Sequence, residues 1–232
     1  EDYLVRLSED GREISRVNLL DLLARSQFAA LLQMYAPGTS SPIQGQRPGD
    51  VLHTNTVDVV GADFAEHHAF ADPGDVLVSF RSLDTVALVD PDAGRLDWAS
   101  RGFWRGQHDP DPLPNGRLLI FDNKGYGGPA GMTRIVEFDP TTNDVSWSYV
   151  GSRDLPFQSE VRGAQQQLPN GNLLVTSSQS GRIFEISRRG DVVWDYHNPM
   201  RRSHAGRAYT TATLGAQRFR ASELPFLEEH GP

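Results

Sequence analysis

One phrase recurs along the chain at nearly constant spacing: an alternating apolar strand, a polar turn and a second strand ending in tryptophan. Its tryptophans, Trp98, Trp147 and Trp194, lie 49 and 47 residues apart. The copies read TVALVDPDAGRLDW (85–98), RIVEFDPTTNDVSW (134–147) and RIFEISRRGDVVW (182–194), with a weaker fourth copy in YLVRLSEDGREIS (3–15). A repeat of about 40–50 residues made of short strands restricts the chain to repeat architectures.

A second phrase precedes the first in each period. It reads GDVLVSF (74–80), LPNGRLLIFDN (113–123) and LPNGNLLVTSS (168–178). Pro-Asn-Gly forms a tight turn that starts the apolar run in two copies. One period thus holds three or four short strands, which predicts an all-β fold made of four-stranded β-propeller blades. A β-sandwich would give irregular spacing and no tryptophan recurring at one strand end.

The number of blades bears on the domain organisation. The sequence contains three full blades and an N-terminal half-blade, whereas closed propellers have about 4–8 blades. The chain is therefore either a small propeller closed by pairing of its two ends or part of a larger one. The start in mid-blade favours the second alternative, with earlier sequence cut away. We expect residues 1–222 to form a single propeller domain, or the C-terminal part of one, followed by a tail over 223–232.

One segment interrupts the strand pattern. Residues 18–35, NLLDLLARSQFAALLQMY, have apolar side chains at helical spacing, with Asn18 or Asp21 as the N-cap. This pattern predicts one helix inserted between blades, which either packs on the propeller or covers a central pocket. Residues 36–50 have the composition of a loop.

Composition excludes several classes of function. A formal net charge of -8 argues against nucleic acid and anionic membranes as partners. The absence of cysteine excludes disulfides, thiolate nucleophiles and cysteine-based metal sites. No stretch approaches the ~20 apolar residues of a transmembrane helix. The first 15 residues lack the basic start and apolar core of a signal peptide.

Four polar residues are the candidates for chemistry. His53 and Asn55 lie two residues apart in HTNTVDVV (53–60), Arg81 ends the run GDVLVSFR, and His108 opens the next unit in GQHDPDPLPNG. We expect these groups to come from three consecutive blades and to point at the propeller axis. Each is weak alone, but their recurrence at blade mouths favours a shared site. We predict no metal and no cofactor for it.

Other residues offer weaker alternatives. His67 and His68 are adjacent and are expected in a loop, and His197 and His204 are expected at the surface, the latter beside a cluster of arginines. The glycine-rich segment 123–131 is predicted to be a long loop. Four aromatic residues in connections are candidates either for the core or for contact with a ligand: Phe103, Trp104, Tyr126 and Phe157.

The phrases HTN, GDVLVSFRSLDTVALVD, GQHDPDPLPNGRLLIFDN and TRIVEFDP, in this order, resemble the bacterial PAPS-independent arylsulfate sulfotransferases. The resemblance covers about residues 50–196, with weaker similarity at both ends. It implies a six-bladed propeller with an axial active site, located in the periplasm or secreted. It also implies sulfuryl transfer from an aryl sulfate to a phenol through a sulfohistidine, with neither PAPS nor metal.

The resemblance also implies roles for the candidates. His108 corresponds to the family's nucleophile, and His53, Asn55 and Arg81 correspond to its other site residues. The family uses a further histidine from an earlier blade that this chain lacks, which implies an N-terminally truncated member. Sulfuryl transfer spreads charge over three oxygens, so the cationic Arg81 suits it. The alternatives are a non-catalytic propeller that binds a ligand or protein, and a propeller polysaccharide lyase.

Overall fold

The computed structural model describes residues 1–34, 49–125, 131–224 and 226. It divides the chain into two compact units, Glu1–Val161 and Arg162–Pro232, and each is described by itself. No helix in the described ranges is long and apolar enough to cross a membrane. The expected C-terminal tail lies mostly outside the described residues.

The first unit holds a hairpin and two four-stranded antiparallel sheets. The hairpin consists of β1 (Tyr3–Leu7) and β2 (Glu13–Asn18), and it is followed by helix α1 (Leu19–Arg25) and a 3-10 helix (Ala29–Met34). The first sheet contains β3 (Thr54–Val59), β4 (Val76–Phe80), β5 (Thr85–Asp90) and β6 (Arg95–Arg101), with helix α2 (Ala62–Ala65) after β3 and a 3-10 helix (Arg81–Leu83) after β4. The second sheet contains β7 (His108–Pro112), β8 (Leu118–Asp122), β9 (Arg134–Phe138) and β10 (Val145–Tyr149).

The second unit holds one four-stranded sheet and a hairpin. The third sheet contains β11 (Ala164–Gln167), β12 (Leu173–Ser177), β13 (Arg182–Ile186) and β14 (Val192–His197). The hairpin consists of β15 (Arg201–His204) and β16 (Arg207–Thr210), and a 3-10 helix (Ala221–Glu223) follows. Each four-stranded sheet pairs its strands in chain order. This repeated meander is the arrangement of propeller blades, so the predicted all-β blade architecture is confirmed.

The N-terminal hairpin is the outer half of such a sheet. In each four-stranded sheet, the pairing of the third and fourth strands has a register shift at an equivalent place. The shift lies at Leu88/Val89 of β5, at Glu137/Phe138 of β9 and at Glu185/Ile186 of β13. The β1–β2 pair shifts at Arg6/Leu7, the matching position of its own phrase. A shared bulge bends equivalent strands alike. The weak fourth copy seen in the sequence is therefore a true copy of the third and fourth strands.

The core follows from the second and third strands of each sheet. All five residues of β4, β8 and β12 are buried, which explains their nearly continuous apolar runs. In the first unit, Leu77, Leu88, Leu118 and Val136 belong to one cluster that joins the first and second sheets. Burying an aliphatic side chain contributes about 1.5–3 kcal/mol, so this cluster holds the two sheets together.

The inserted helix is shorter than the sequence pattern indicated. α1 ends at Arg25, and Ser26 interrupts the helix because its hydroxyl donates to the Leu23 carbonyl and accepts from the Phe28 amide. Asn18 is the N-cap, accepting from the Asp21 amide at 3.0 Å. Leu19 and Leu23 are buried against the first sheet in a second core cluster. The segment therefore packs on the sheet, as the first alternative predicted.

Candidate functional site

The structure brings the four predicted residues onto two neighbouring sheets, not three. His53 lies directly before β3, and Asn55 lies within it. Arg81 follows β4, the second strand of the same sheet, and its backbone N–H donates to the His53 carbonyl at 3.3 Å. The prediction that Arg81 ends the innermost strand of a separate blade was wrong, because GDVLVSF forms the second strand of a sheet that HTNTVDVV begins.

His108 opens β7, and the first sheet holds its backbone on both sides. The Asn55 side chain donates from Nδ2 to the Gln107 carbonyl at 2.8 Å. The Thr56 hydroxyl accepts from the Asp109 amide at 2.9 Å. These bonds come from adjacent residues of β3, so they fix the position of His108 relative to the first sheet.

Gln107 fastens the same strand more deeply. Its side chain is fully buried and donates from Nε2 to the Ser79 hydroxyl at 3.1 Å and to the Thr85 carbonyl at 3.0 Å. The glutamine before the predicted nucleophile thus links the second sheet to the first by buried hydrogen bonds. Hydrogen bonds of this kind, with buried partners, keep their geometry because leaving a buried partner unsatisfied costs about 1–3 kcal/mol.

The imidazole of His108 has a defined tautomer. Its Nδ1 lies 2.7 Å from the Asn123 side-chain oxygen and 3.2 Å from the Gly106 carbonyl. Both partners only accept, so Nδ1 carries the proton. The assignment of the Asn123 amide is fixed because its Nδ2 donates to the Ser159 carbonyl at 2.7 Å. The lone pair of the neutral ring is therefore on Nε2, for which the described residues provide no hydrogen-bond partner.

The surroundings keep this ring neutral. The pKa of His108 is lowered from 6.5 to about 4, chiefly by burial and also by the charges of Arg81 and His53, while the hydrogen bonds to Asn123 and Gly106 oppose this shift. Arg81 and His53 therefore share one electrostatic neighbourhood with His108. At neutral pH the side chain is an uncharged base with a free lone pair.

Arg81 is a buried cation with an unused donor. Its side chain is only 5% exposed, and Nη2 is buried without a hydrogen-bond partner. Among the described residues no carboxylate forms an ion pair with it. Burial lowers the pKa of Arg81, while the charges of Asp84 and Asp50 oppose that shift. A buried guanidinium that lacks a counter-ion is suited to receive an anion.

His53 is paired with a carboxylate. Its Nδ1 lies 2.5 Å from Oδ2 of Asp50, and its backbone N–H donates to Oδ1 of the same residue at 3.0 Å. The left-handed backbone of His53, with φ of 50°, turns the chain back so that these two contacts form. The carboxylate orients the ring by holding Nδ1, which leaves Nε2 on the opposite side of the ring from Asp50.

Sequence analysis missed three residues beside this site: Asp50, Asn123 and Lys124. Lys124 is half-buried, and its pKa is lowered by burial and then by the charges of Arg81 and Arg105. A Cβ added at Gly106 would lie 3.6 Å from the Cδ and Cε atoms of Lys124. The aliphatic part of the Lys124 side chain therefore packs over the backbone that leads to His108.

Two of these residues, Asn123 and Lys124, could have been found by aligning the repeats. Aligned by strand, β4, β8 and β12 are followed by Arg81, Asn123 and Ser178, respectively. The positions that follow second strands thus hold polar residues in all three sheets. Lys124, the next residue, is also the single lysine of the sequence.

The weaker candidates lie elsewhere. His68 donates from Nε2 to the Gly116 carbonyl at 2.6 Å and stacks on Phe70 at 4.8 Å between ring centroids. Both His67 and His68 lie in the connection after α2, as the expected loop residues. Gly116 has a φ of 76°, and a Cβ there would lie 2.6 Å from that of His67, so the Pro-Asn-Gly turn requires glycine. His197 is exposed at the end of β14.

The aromatic candidates serve the core. Trp104 is 1% exposed and packs against Phe103 and Phe138, while Phe157 is 4% exposed and packs against Phe121. The fourth aromatic candidate, Tyr126, and most of the glycine-rich segment lie outside the described residues, as does the side chain of His204. The three described aromatic residues therefore have core roles, and their contacts give no support for binding a ligand.

A group of three carboxylates lies away from the site. Asp75, Asp90 and Asp97 bring their oxygens within 4.8 Å of one another. Arg95 forms ion pairs with Asp90 and Asp97, which neutralise part of this charge. A cleft of about 580 Å³ lies nearby, between α1 and the β5–β6 turn, and none of the four predicted site residues lines it.

Comparison with known proteins gives a family match. The sequence model described as "Arylsulfotransferase (ASST)" matches residues 9–199. None of the curated proteins matches the sequence.

Solved structures show partial similarity to the chain. One is a protein of unknown function from Bacteroides caccae, with 18% identity, TM-score 0.40 and coverage of 62% of this chain and 45% of that one. Another is the WD40 β-propeller domain of Doa1, with 16% identity, TM-score 0.44 and coverage of 63% and 41%. A third is virginiamycin B lyase from Staphylococcus aureus, with 12% identity, TM-score 0.44 and coverage of 83% and 47%. The chain spans less than half the length of each of these structures.

Proposed function

Because the chain belongs to the arylsulfotransferase (ASST) family, we propose that it transfers a sulfuryl group from an aryl sulfate to a phenol through a sulfohistidine on Nε2 of His108. The observation that carries the proposal is that a neutral His108, with its lone pair on Nε2, lies within the electrostatic field of a buried Arg81 that has an unused donor. A nucleophile and an anion-binding cation in one neighbourhood are what this reaction needs.

The first step is an in-line displacement at sulfur. The Nε2 lone pair of His108 forms the N–S bond while the bond between sulfur and the aryl oxygen breaks, and the electron pair leaves with the phenolate. A second displacement by the acceptor phenol returns the electron pair to Nε2. A covalent intermediate divides one difficult transfer into two easier ones. The pKa of about 4 favours this role, since protonation does not block the lone pair at neutral pH.

Arg81 is the candidate for binding the sulfuryl oxygens. The transition state of such a transfer carries its charge on three peripheral oxygens, and a guanidinium presents several N–H donors in a fixed plane. Because Arg81 is buried without an ion pair, its field is weakly screened and it does not have to leave a carboxylate first. Lys124 adds a second positive charge that is electrostatically coupled to Arg81.

His53 is the candidate acid and base. As an imidazolium held by Asp50, it donates a proton to the departing phenolate and then accepts one from the attacking phenol. About one third of its side chain is exposed, so it can exchange protons with water between turnovers. Asn55 supports the site through the backbone, since its Nδ2 donates to the Gln107 carbonyl and holds β7.

Two wider features belong to the same proposal. We infer that the chain contributes its blades to a six-bladed propeller with the site on the axis, as its arylsulfotransferase relationship implies. We also infer that the protein works in the periplasm or is secreted. Fractionation of cells expressing the complete protein tests the location, and a cytoplasmic pool alone would contradict it.

The direct test uses the complete protein that contains this chain, with p-nitrophenyl sulfate as donor and phenol as acceptor, without PAPS. We expect nitrophenol release that depends on phenol, and a mass increase of one SO₃ group on the peptide containing His108 when phenol is omitted. His108→Gln should abolish both, whereas His197→Gln, which changes an exposed histidine, should keep both. Retained turnover in His108→Gln would exclude the proposed nucleophile, and ligand binding without turnover would favour the binding-module alternative.

A further inference from the structure

We propose that Asn123 is a positioning residue that keeps the Nδ1 proton on His108 through both chemical steps, so that the covalent intermediate is a sulfoimidazolium. This inference rests on the proposed function and adds the charge state of its intermediate. The observation behind it is the contact of a neutral amide oxygen, and not a carboxylate, with Nδ1 of His108 at 2.7 Å.

Asn123 is locked in the orientation that this role requires. The side-chain Nδ2 of Asn123 donates to the Ser159 carbonyl at 2.7 Å. The backbone carbonyl of Asn123 accepts from the Thr133 hydroxyl at 2.8 Å. That hydroxyl in turn accepts from the Ser159 amide at 2.8 Å. Asn123, Thr133 and Ser159 are fully buried. Rotating the amide would leave the Ser159 carbonyl facing Oδ1 and Nδ1 of His108 facing a donor, so a single orientation is satisfied.

The chemistry follows from what an amide oxygen can accept. It accepts a hydrogen bond from Nδ1–H, but it is too weak a base to remove the proton. When Nε2 forms the N–S bond, the ring therefore keeps Nδ1–H and gains one positive charge. When the acceptor phenol attacks sulfur, the electron pair of the N–S bond returns to Nε2, and neutral imidazole is the leaving group. The proton of the phenol goes to His53.

A carboxylate in place of Asn123 would change both steps. It would stabilise the imidazolium form of His108 and remove the neutral nucleophile at neutral pH. It would also stabilise the sulfoimidazolium, or take its proton, and either effect slows departure of the imidazole. The site does contain such a carboxylate, but it contacts the other histidine, since Asp50 Oδ2 lies 2.5 Å from Nδ1 of His53. The two histidines thus have partners of different charge, which suits a division between acid–base and nucleophilic roles.

The pair of Asn123 and His108 is not a requirement of the blade itself. In the third sheet the residue in the place of His108, opposite the same point of the second strand, is Ala164, and the residue in the place of Asn123 is Ser178. In the first sheet Arg81 occupies the place of Asn123. The second sheet alone, of the three, combines a histidine with an amide at these positions. The strand pairing that the sheets share therefore does not require this combination.

The first test is the tautomer of His108 in the unmodified protein. In a long-range ¹H–¹⁵N spectrum of protein labelled with ¹⁵N-histidine, near neutral pH, we expect Nδ1 to be protonated and Nε2 unprotonated, with His108→Gln assigning the signal. A predominant Nε2–H tautomer would overturn the proposal. This spectrum does not depend on turnover, so the proposed transfer reaction can fail while the tautomer is correct, and the two failures are distinguishable.

The second test compares Asn123→Asp and Asn123→Ala with Asn115→Asp, which makes the same charge change in the exposed turn at the other end of β7. For Asn123→Asp we expect a raised pKa in the acidic limb of kcat/KM and accumulation of the sulfated enzyme. For Asn123→Ala we expect kcat to fall roughly 10- to 100-fold with the KM of the donor little changed. An unchanged pH profile in folded Asn123→Asp, or the same effects in Asn115→Asp, would overturn the role. If Asn123→Asp fails to fold, the tautomer and the profile of Asn123→Ala decide.

Discussion

The Nδ1 atom of His108 donates to Oδ1 of Asn123 across 2.7 Å, from the first residue of β7 to the residue that follows β8. The two residues thus sit on adjacent strands of one sheet, and their side chains meet beyond its end. β7 is held against the first sheet by Asn55 and Thr56. The position of His108 is therefore set by contacts from two sheets. A substitution that removes a contact from either sheet should shift its imidazole.

The buried neutral state of His108 predicts a pH dependence of stability. Its pKa in the folded protein is about 4, against 6.5 for an ordinary histidine, so between these pH values the unfolded chain binds a proton that the folded chain does not. The free energy of unfolding should therefore fall as pH drops from 6.5 toward 4, by at most about 3 kcal/mol. Urea denaturation at a series of pH values measures this slope.

The variant His108→Gln should have a shallower slope over the same range, since glutamine does not titrate. His197→Gln is the control, because it removes an exposed histidine and should leave the slope of the unmodified protein unchanged. Equal slopes in the unmodified protein and in His108→Gln would show that His108 is not the titrating group.

The uncompensated charge of Arg81 predicts opposite effects on activity and stability. Arg81→Met should lower kcat/KM for an aryl sulfate roughly 10²- to 10³-fold, the size expected for loss of an oxyanion donor. It should leave Tm unchanged or raise it, because the variant no longer buries a guanidinium that lacks an ion pair. Steady-state kinetics and thermal denaturation measure the two effects.

Arg12→Met is the matched control, since the Arg12 side chain is exposed and pairs with the exposed Asp10 at the surface. It should change neither quantity appreciably. A fall of both activity and Tm in Arg81→Met would mean that the arginine stabilises the fold, and it would remove the case for an anion site.

The sheets could be predicted from the sequence because their signals are local and repeated. Apolar runs such as VLVSF and LLIFD, and a tryptophan in the fourth strand of each four-stranded sheet, recur at one period, and the bulge positions follow the same repeat. The hairpin at Tyr3–Asn18 was recognisable for the same reason. Periodicity does not tell which strand of a sheet a run forms, however, and Arg81 was assigned to the wrong strand and sheet.

The parts of the site that the sequence did not reveal depend on side-chain contacts. Asp50 contacts His53 because His53 adopts a left-handed backbone conformation. A histidine in the sequence does not predict that conformation, which is uncommon for residues other than glycine. Asn123 meets His108 through strand pairing 15 residues away. Gln107 looked like a neighbour of the nucleophile, and its role in joining two sheets needed the coordinates.

The pairing of Asp50 with His53 predicts a change in sensitivity to the leaving group. Asp50→Asn keeps an oxygen for the His53 backbone N–H but removes the charge that stabilises the imidazolium. We expect a roughly 10- to 100-fold loss of kcat/KM for donors whose phenols are poor leaving groups, and a smaller loss for nitrophenyl sulfate, which needs less protonation. A plot of log kcat/KM against the pKa of the phenol should become steeper. Asp63→Asn, an exposed position in α2, is the control, and parallel plots for both variants would contradict acid catalysis by His53.

The single lysine of the chain allows a chemical test of the second cation. Burial and the charges of Arg81 and Arg105 lower the pKa of Lys124, so a larger fraction of its amine is unprotonated at a given pH. We expect an amine-acylating reagent to modify Lys124 at a pH where an ordinary exposed lysine reacts slowly, and an aryl sulfate to protect it. Lys124→Met should raise the KM of the donor roughly 10-fold, as loss of a hydrogen bond to a charged group would, whereas Lys124→Arg should retain most of the affinity. Modification that the donor does not slow, together with equal KM values for the two variants, would place Lys124 outside the binding site.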